Sequence, residues 1–187
     1  MGLAQLARKL TCLLALSTLL RVSELASIAL GTNQGAQLSF SFSLLRPRKS
    51  QHGGPLHKFT LPRFNDPELD PVSCMLLYVD QTRPLCTDTN KECLFIACVK
   101  PHKPVDGSTI SSLLKKQLGE AGVNIGKFSA HSTRGAAASK AAAAGVPLQT
   151  ILTSASWAKE STFTTFYRRD KIVERSATVA EAVLRLE

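Results

Sequence analysis

The chain has 187 residues, of which 44% are hydrophobic and 20% charged, a balance that suits one globular domain and excludes a fibre or wholesale disorder. Lys and Arg number 23 against 14 Asp and Glu, a formal charge of +9, so the expected partner is a polyanion, nucleic acid first and an anionic membrane surface second. A chain this long buries roughly 70% of its unfolded surface and needs no disulfides to fold.

At the start, Arg8 and Lys9 precede the apolar run from Leu10 to Leu20, which has the look of a signal peptide. The run is about half the roughly 20 residues of a membrane span, and Ala26, Ser27 and Ala29 form only a loose cleavage site. The preferred reading is helical: Leu6, Leu10, Leu13, Leu14, Leu16 and Leu20 recur at helix spacing, so residues 5–30 form one helix or two, ending at Gly31. Then Leu38, Phe40, Phe42 and Leu44 alternate with Ser39, Ser41 and Ser43, the period-two signature of a half-buried strand. The basic, turn-rich stretch Arg46-Pro47-Arg48-Lys49-Ser50-Gln51-His52-Gly53-Gly54-Pro55 follows, and Leu56 to Leu61 returns, giving a β-hairpin with a positive tip.

Pro62, Pro67 and Pro71 mark a loop leading to a short helix over about 71–80. Cys93 to Val99 is an apolar run that is either a buried strand or a poor helix. Ser108 starts a helix with Ile110, Leu113, Leu114 and Leu118 on one face and Gly122 at its end. Residues 131–144, rich in alanine, form another that Gly145 closes, and Pro147 opens the next. A further short helix carries Phe163, Phe166 and Tyr167, and residues 174–187 form a last amphipathic one. The class is α+β, mostly helical with a small antiparallel sheet. Five cysteines (Cys12, Cys74, Cys86, Cys93 and Cys98) without CxxC spacing give no zinc knuckle or disulfide framework and read as buried thiols in a reducing compartment.

The polar residues are individually weak signals. His131 and Arg134 share a face at the start of a helix, where free N–H groups and the helix dipole make a seat for phosphate, but an isolated H-x-x-R is more often a solvated helix start. Tyr167, in Phe166-Tyr167-Arg168-Arg169, is on its own a half-buried tyrosine beside solvated arginines. Trp157, the single tryptophan, is as well suited to a core as to donating a hydrogen bond.

Taken in order, Arg21-Val22-Ser23-Glu24-Leu25, the basic hairpin, His131-Ser132-Thr133-Arg134, Gly145-Val146-Pro147-Leu148, Ser156-Trp157 and Tyr167 resemble the catalytic domain of the tyrosine recombinases, the phage-integrase family. The flanking text is most similar to recombinases of DIRS-like and Crypton-like eukaryotic mobile elements. The resemblance covers about residues 5 to 170. It implies residues 1–170 as the catalytic domain, without the N-terminal DNA-clamping domain usual in the family, and 171–187 as a C-terminal helix or tail.

The resemblance also implies residue roles. Arg21, His131 and Arg134 would surround the scissile phosphate, Trp157 would donate to a non-bridging oxygen, and Tyr167 would attack phosphorus. Lys49 at the hairpin tip, in preference to Lys58 on the return strand, would protonate the leaving 5′-oxygen. Arg46, Arg48, Lys49 and Arg168 would contact DNA, and Glu24 would orient an arginine or else be a solvated helix-end carboxylate. The chemistry suits these types: fixed arginines grip phosphate oxygens and stabilise the charge of the transition state, and nearby cations ease deprotonation of a phenol whose ordinary pKa is about 10.

Neither metal nor ATP is implied, because a 3′-phosphotyrosyl link keeps the energy of the broken bond. The implied partners are double-stranded DNA and, where the C-terminal helix docks on a neighbouring copy and not on its own core, further copies in a tetramer, with no membrane, and the implied compartment is the nucleus. Two departures are visible: Ser17-Thr18-Leu19-Leu20 stand where the family usually has a glycine, and Gly135 where many relatives carry histidine. The expected function is DNA breaking and rejoining, in recombination or integration. A catalytically silent DNA-binding remnant is the alternative, and a secreted protein cut near residue 27 a third.

Overall fold

The apolar spacing at the start of the chain becomes a helix with one wholly buried edge. In the computed structural model, which describes residues 1–30, 39–48, 56, 58–158 and 160–166, helix α1 spans Leu3–Thr18. Leu6, Leu10 and Leu14, one turn apart, are all fully buried. Helices α3 (Pro71–Thr82), α4 (Gly107–Glu120) and α5 (Ala130–Ala143) pack around α1. The run that resembled a signal peptide is thus the central strut of the main core. Among the described residues no helix is long and apolar enough to cross a membrane.

The expected stretch 5–30 is two helices. The break between them falls at Leu19, in the left-handed region at φ 55°; Gly31, the expected end, lies outside the described residues. Helix α2, Val22–Ala26, follows with Arg21 at its N-cap. The chain then turns extended and joins the sheet. Strands β1 (Ser39–Ser43) and β2 (Lys58–Pro62) pair antiparallel with Phe40 opposite Leu61 and Phe42 opposite Phe59. Phe40 and Phe42 are buried while the intervening serines stay partly exposed, as the alternation predicts.

Residues 28–30 lie between this hairpin and residues 92–94. On one side Ala29 N–H donates to the Ser43 carbonyl and Leu45 N–H to that of Ser27; on the other Leu30 N–H donates to Glu92 and Leu94 N–H to Ile28. The apolar run Cys93–Val99, open between strand and helix from its sequence, is not a helix: it is bridged at Cys93 and Ile96 and bends at Cys98 and Val99. Among the described residues it pairs through the isolated bridges Ala29–Cys93 and Ile96–Pro104. The buried Tyr78 hydroxyl secures it by donating to the Ile96 carbonyl and accepting from the Ile96 N–H.

The remaining helices start where their caps dictate. Asp70 accepts from the N–H groups of Val72 and Ser73 ahead of α3, and Asp106 accepts from Thr109 N–H ahead of α4. Gly107 lets α4 start hard against α2: a Cβ there would stand 3.3 Å from Ser23 Cα. Helix α6 covers Leu148–Ala155, with Pro147 one place earlier than expected, at the N-cap rather than inside the first turn. Helix α7 covers Glu160–Phe166. Tyr167 and the expected helix over 174–187 lie outside the described residues.

A second, smaller core gathers Leu19, Ala138, Ile151, Leu152, Ala155 and Phe163, with Trp157 against it. The alanines of α5 serve this core, since Ala138 is fully buried and Ala137, Ala141 and Ala142 pack beside it. All five cysteines are free. The expectation of buried thiols holds for Cys74 alone; Cys86 is exposed and the others are intermediate, with Cys12 and Cys98 at the margin of the main core.

Candidate active site

Arg21 and Glu24 are fixed by the first turn of α2. Glu24 occupies the third helical position, so its carboxylate reaches back to the Arg21 backbone N–H at 2.7 Å while the Arg21 guanidinium donates to the same carboxylate at 2.8 Å. This settles Glu24 as the group that orients Arg21, not a solvated helix end. Arg21 keeps about a third of its side chain exposed, whereas that of Glu24 is 8% exposed.

A second arginine meets Glu24 from the hairpin. Arg48 donates through Nε at 3.0 Å and through Nη2 at 3.3 Å to its two carboxylate oxygens. Burial by itself would raise the Glu24 carboxyl, but the hydrogen bonds from Arg48 and the Arg21 backbone, with both guanidinium charges, outweigh it and hold it below its usual range. Arg48 also lies over the Phe59 ring at 5.6 Å. Its expected place, exposed on a DNA-facing tip, is corrected here: the residue is only 4% exposed, drawn inward by a buried carboxylate. Arg46, two residues earlier, is exposed as expected. Arg21, Glu24, Arg46 and Arg48 line one cavity of about 670 Å³ with Asp106 and Gly107 from the start of α4.

The other half of the site comes from α5 and α6. Arg134, on the second turn of α5, is buried, donates to the Ala155 carbonyl at the end of α6, and lies over the Trp157 ring at 4.8 Å. Trp157 follows the left-handed Ser156 (φ 49°) and packs on Phe163 with ring centroids 5.9 Å apart. It is thus a core ring that also flanks Arg134. His131 stands one turn before Arg134, with its side chain exposed.

The halves meet at the end of α6. Arg48 Nη1 donates to the Ser154 carbonyl at 3.1 Å, next to the Ala155 carbonyl that Arg134 takes. One chain of contacts thus runs Arg21–Glu24–Arg48–Ser154 and, from the neighbouring residue, Ala155–Arg134–Trp157. Lys58, the second choice for the hairpin lysine, is exposed on β2 and lines a smaller cavity of about 270 Å³ with Arg48 and Ser154. Lys49, Tyr167 and Arg168 lie outside the described residues.

The structural role of Arg48 is what sequence reasoning missed. Its partners are 24 and 106 residues away, so no local pattern carries it.

No family model and no curated protein matches the chain. Solved structures do match, two recombinases among them. The XerA recombinase is 16% identical with a TM-score of 0.62, covering 100% of this chain and 64% of that one. The XerH site-specific recombinase, solved bound to palindromic difH substrate as a post-cleavage complex, is 15% identical with a TM-score of 0.66, covering 98% of this chain and 47% of that one. The chain spans less than two thirds of either recombinase. With its mostly helical core, its antiparallel hairpin and its arginines gathered at the end of α6, the chain has the α+β fold of tyrosine-recombinase catalytic domains.

Proposed function

We propose that the chain is a DNA breaking-and-rejoining enzyme that forms a 3′-phosphotyrosyl intermediate. What supports this reading is the joining of Arg21 and Arg134, from opposite ends of the sequence, through Glu24, Arg48 and the end of α6. Two fixed guanidiniums so held can bind the equatorial oxygens of one phosphodiester and favour its transition state over its ground state. His131, one turn from Arg134 and open to solvent, adds a donor on the same helix face. Trp157 walls the site with an indole held between Arg134 and Phe163.

In this reading Tyr167, the residue after α7, attacks phosphorus through its phenolic oxygen and gives up its proton to solvent as it does so. The phosphorus–5′-oxygen bond breaks, and Lys49, or Lys58 in its place, gives the departing oxygen a proton. A returning 5′-hydroxyl reverses the step and reseals the strand. Residues 1–170 act as the catalytic unit, and residues 171–187 reach a neighbouring copy on DNA. Double-stranded nuclear DNA is the substrate, with Arg46, Lys49 and Arg168 on its phosphates, and the chain descends from a mobile-element recombinase of the DIRS-like or Crypton-like kind.

A nicked duplex that loses a short fragment on cleavage tests this by trapping the intermediate. The wild type is expected to give a covalent adduct that survives denaturation, and Tyr167→Phe none. Adducts equal in both proteins contradict the assignment of the nucleophile. DNA binding without any adduct contradicts enzyme activity and points to the silent DNA-binding module.

A further inference from the structure

The last four carbonyls of a helix have no partner within it, and in α6 each is claimed from elsewhere. Leu152 and Thr153 accept from the returning N–H groups of Trp157 and Ser156. Ser154 accepts from Arg48, and Ala155 from Arg134. Arg134 already has a place in the phosphate site, but Arg48 has none.

One Arg48 fork spans Glu24 and Ser154 together, which the single point charge of a lysine cannot do. At one end it fixes the carboxylate that orients Arg21. At the other it fixes the helix end that receives Arg134 and carries Trp157. We propose that Arg48 is a positioning residue that sets the Arg21 half of the phosphate site in register with the Arg134–Trp157 half, without itself touching DNA. The catalytic consequence rests on the recombinase reading above; the geometric claim does not.

A basic residue in a hairpin turn would ordinarily be a phosphate contact, and the two roles predict opposite behaviour in salt. Removing one phosphate contact flattens the slope of log affinity against log salt by about 0.9. Removing a buried positioning cation leaves the slope unchanged and acts after binding, where a displacement of about 1 Å can cost about 100-fold. The single tryptophan supplies a readout independent of activity, since Trp157 is the only one in the chain and lies three residues beyond Ser154, whose carbonyl Arg48 holds.

The test compares the wild type with Arg48→Lys, which keeps a charge beside Glu24 but releases Ser154, and with Arg48→Met, which removes the charge. In Arg48→Lys, Trp157 emission should move to the red and become more quenchable by acrylamide. Leu10→Ala, a lesion in the other core, should leave that emission unchanged. Adduct formation on nicked DNA should slow about ten- to hundred-fold, with affinity retained, and Arg48→Met should keep the wild-type salt slope.

Wild-type emission in Arg48→Lys, or a slope flattened by about 0.9 in Arg48→Met, overturns the proposal. If Arg48→Met does not fold, the Arg48→Lys fluorescence decides alone. If the wild type forms no adduct, the proposed function fails while emission and salt slope still judge Arg48.

Discussion

Arg134→Ala should slow covalent cleavage of nicked DNA by about 10²–10³-fold, the usual cost of one fixed donor to a developing oxyanion, and should also weaken the fold. Both effects come from a single buried side chain. Its guanidinium takes the Ala155 carbonyl and stacks on Trp157, so alanine leaves a helix-end carbonyl without its charged donor and opens space beneath the ring. A charged hydrogen bond of this kind contributes about 1.5–3 kcal/mol, and the stacking about another 1 kcal/mol. Arg134→Lys keeps the charge but loses the fork and the flat face, so it should recover only part of either loss. Single-turnover adduct formation and the urea midpoint, measured on the same preparations, check the two effects together. A variant that loses stability and keeps wild-type chemistry removes Arg134 from the phosphate site.

Glu24→Ala should be the most destabilising single change in the site, by about 3–5 kcal/mol. The Glu24 carboxylate is nearly buried and answers two guanidiniums, one of them, Arg48, itself 3% exposed in its side chain. Its removal strands a buried cation, which is costlier than losing the pair together. Glu24→Gln combined with Arg48→Met should therefore be more stable than the sum of its parts, and a double-mutant cycle in urea measures the difference.

The same carboxylate gives the fold an acid limb. Its pKa is lowered in the folded chain by its arginine partners against the effect of burial, so its contribution is complete above the ordinary glutamate value of about 4.3. That contribution disappears as pH falls through the lower folded value. In Glu24→Gln this part of the acid destabilisation should be missing, while the part due to Asp70, also held below its usual range, remains.

Much of the fold was legible because local signals agreed with it. The alternation around Phe40 and Phe42 marked β1, Pro62, Pro67 and Pro71 marked the loop ahead of α3, and the leucines of α1 marked the helix that became the central strut. The bridged run from Cys93 was illegible for a physical reason. Its backbone is satisfied by single bridges to Ala29 and Pro104 and by the Tyr78 hydroxyl, not by a ladder that would impose a period.

The site divides in the same way. Arg21 and Glu24 were picked out together by the family resemblance, but that one helical turn brings an N-cap and its third residue face to face is visible only in the fold. Arg48 was misread because a basic turn looks solvent-exposed until its counter-ion on another element is known. Trp157 was ambiguous because an amphipathic ring can pack and donate at once, and only the position of α6 against α5 shows its packing on Phe163 and Arg134.

The most direct measurement is to digest the covalent complex from nicked DNA and find, by mass spectrometry, the residue and the end of the strand that are joined. The account predicts a nucleotide linked through its 3′-phosphate to the Tyr167 oxygen, in wild type and absent from Tyr167→Phe. A linkage through another residue or through a 5′-phosphate, or free cut ends with no linkage at all, contradicts it.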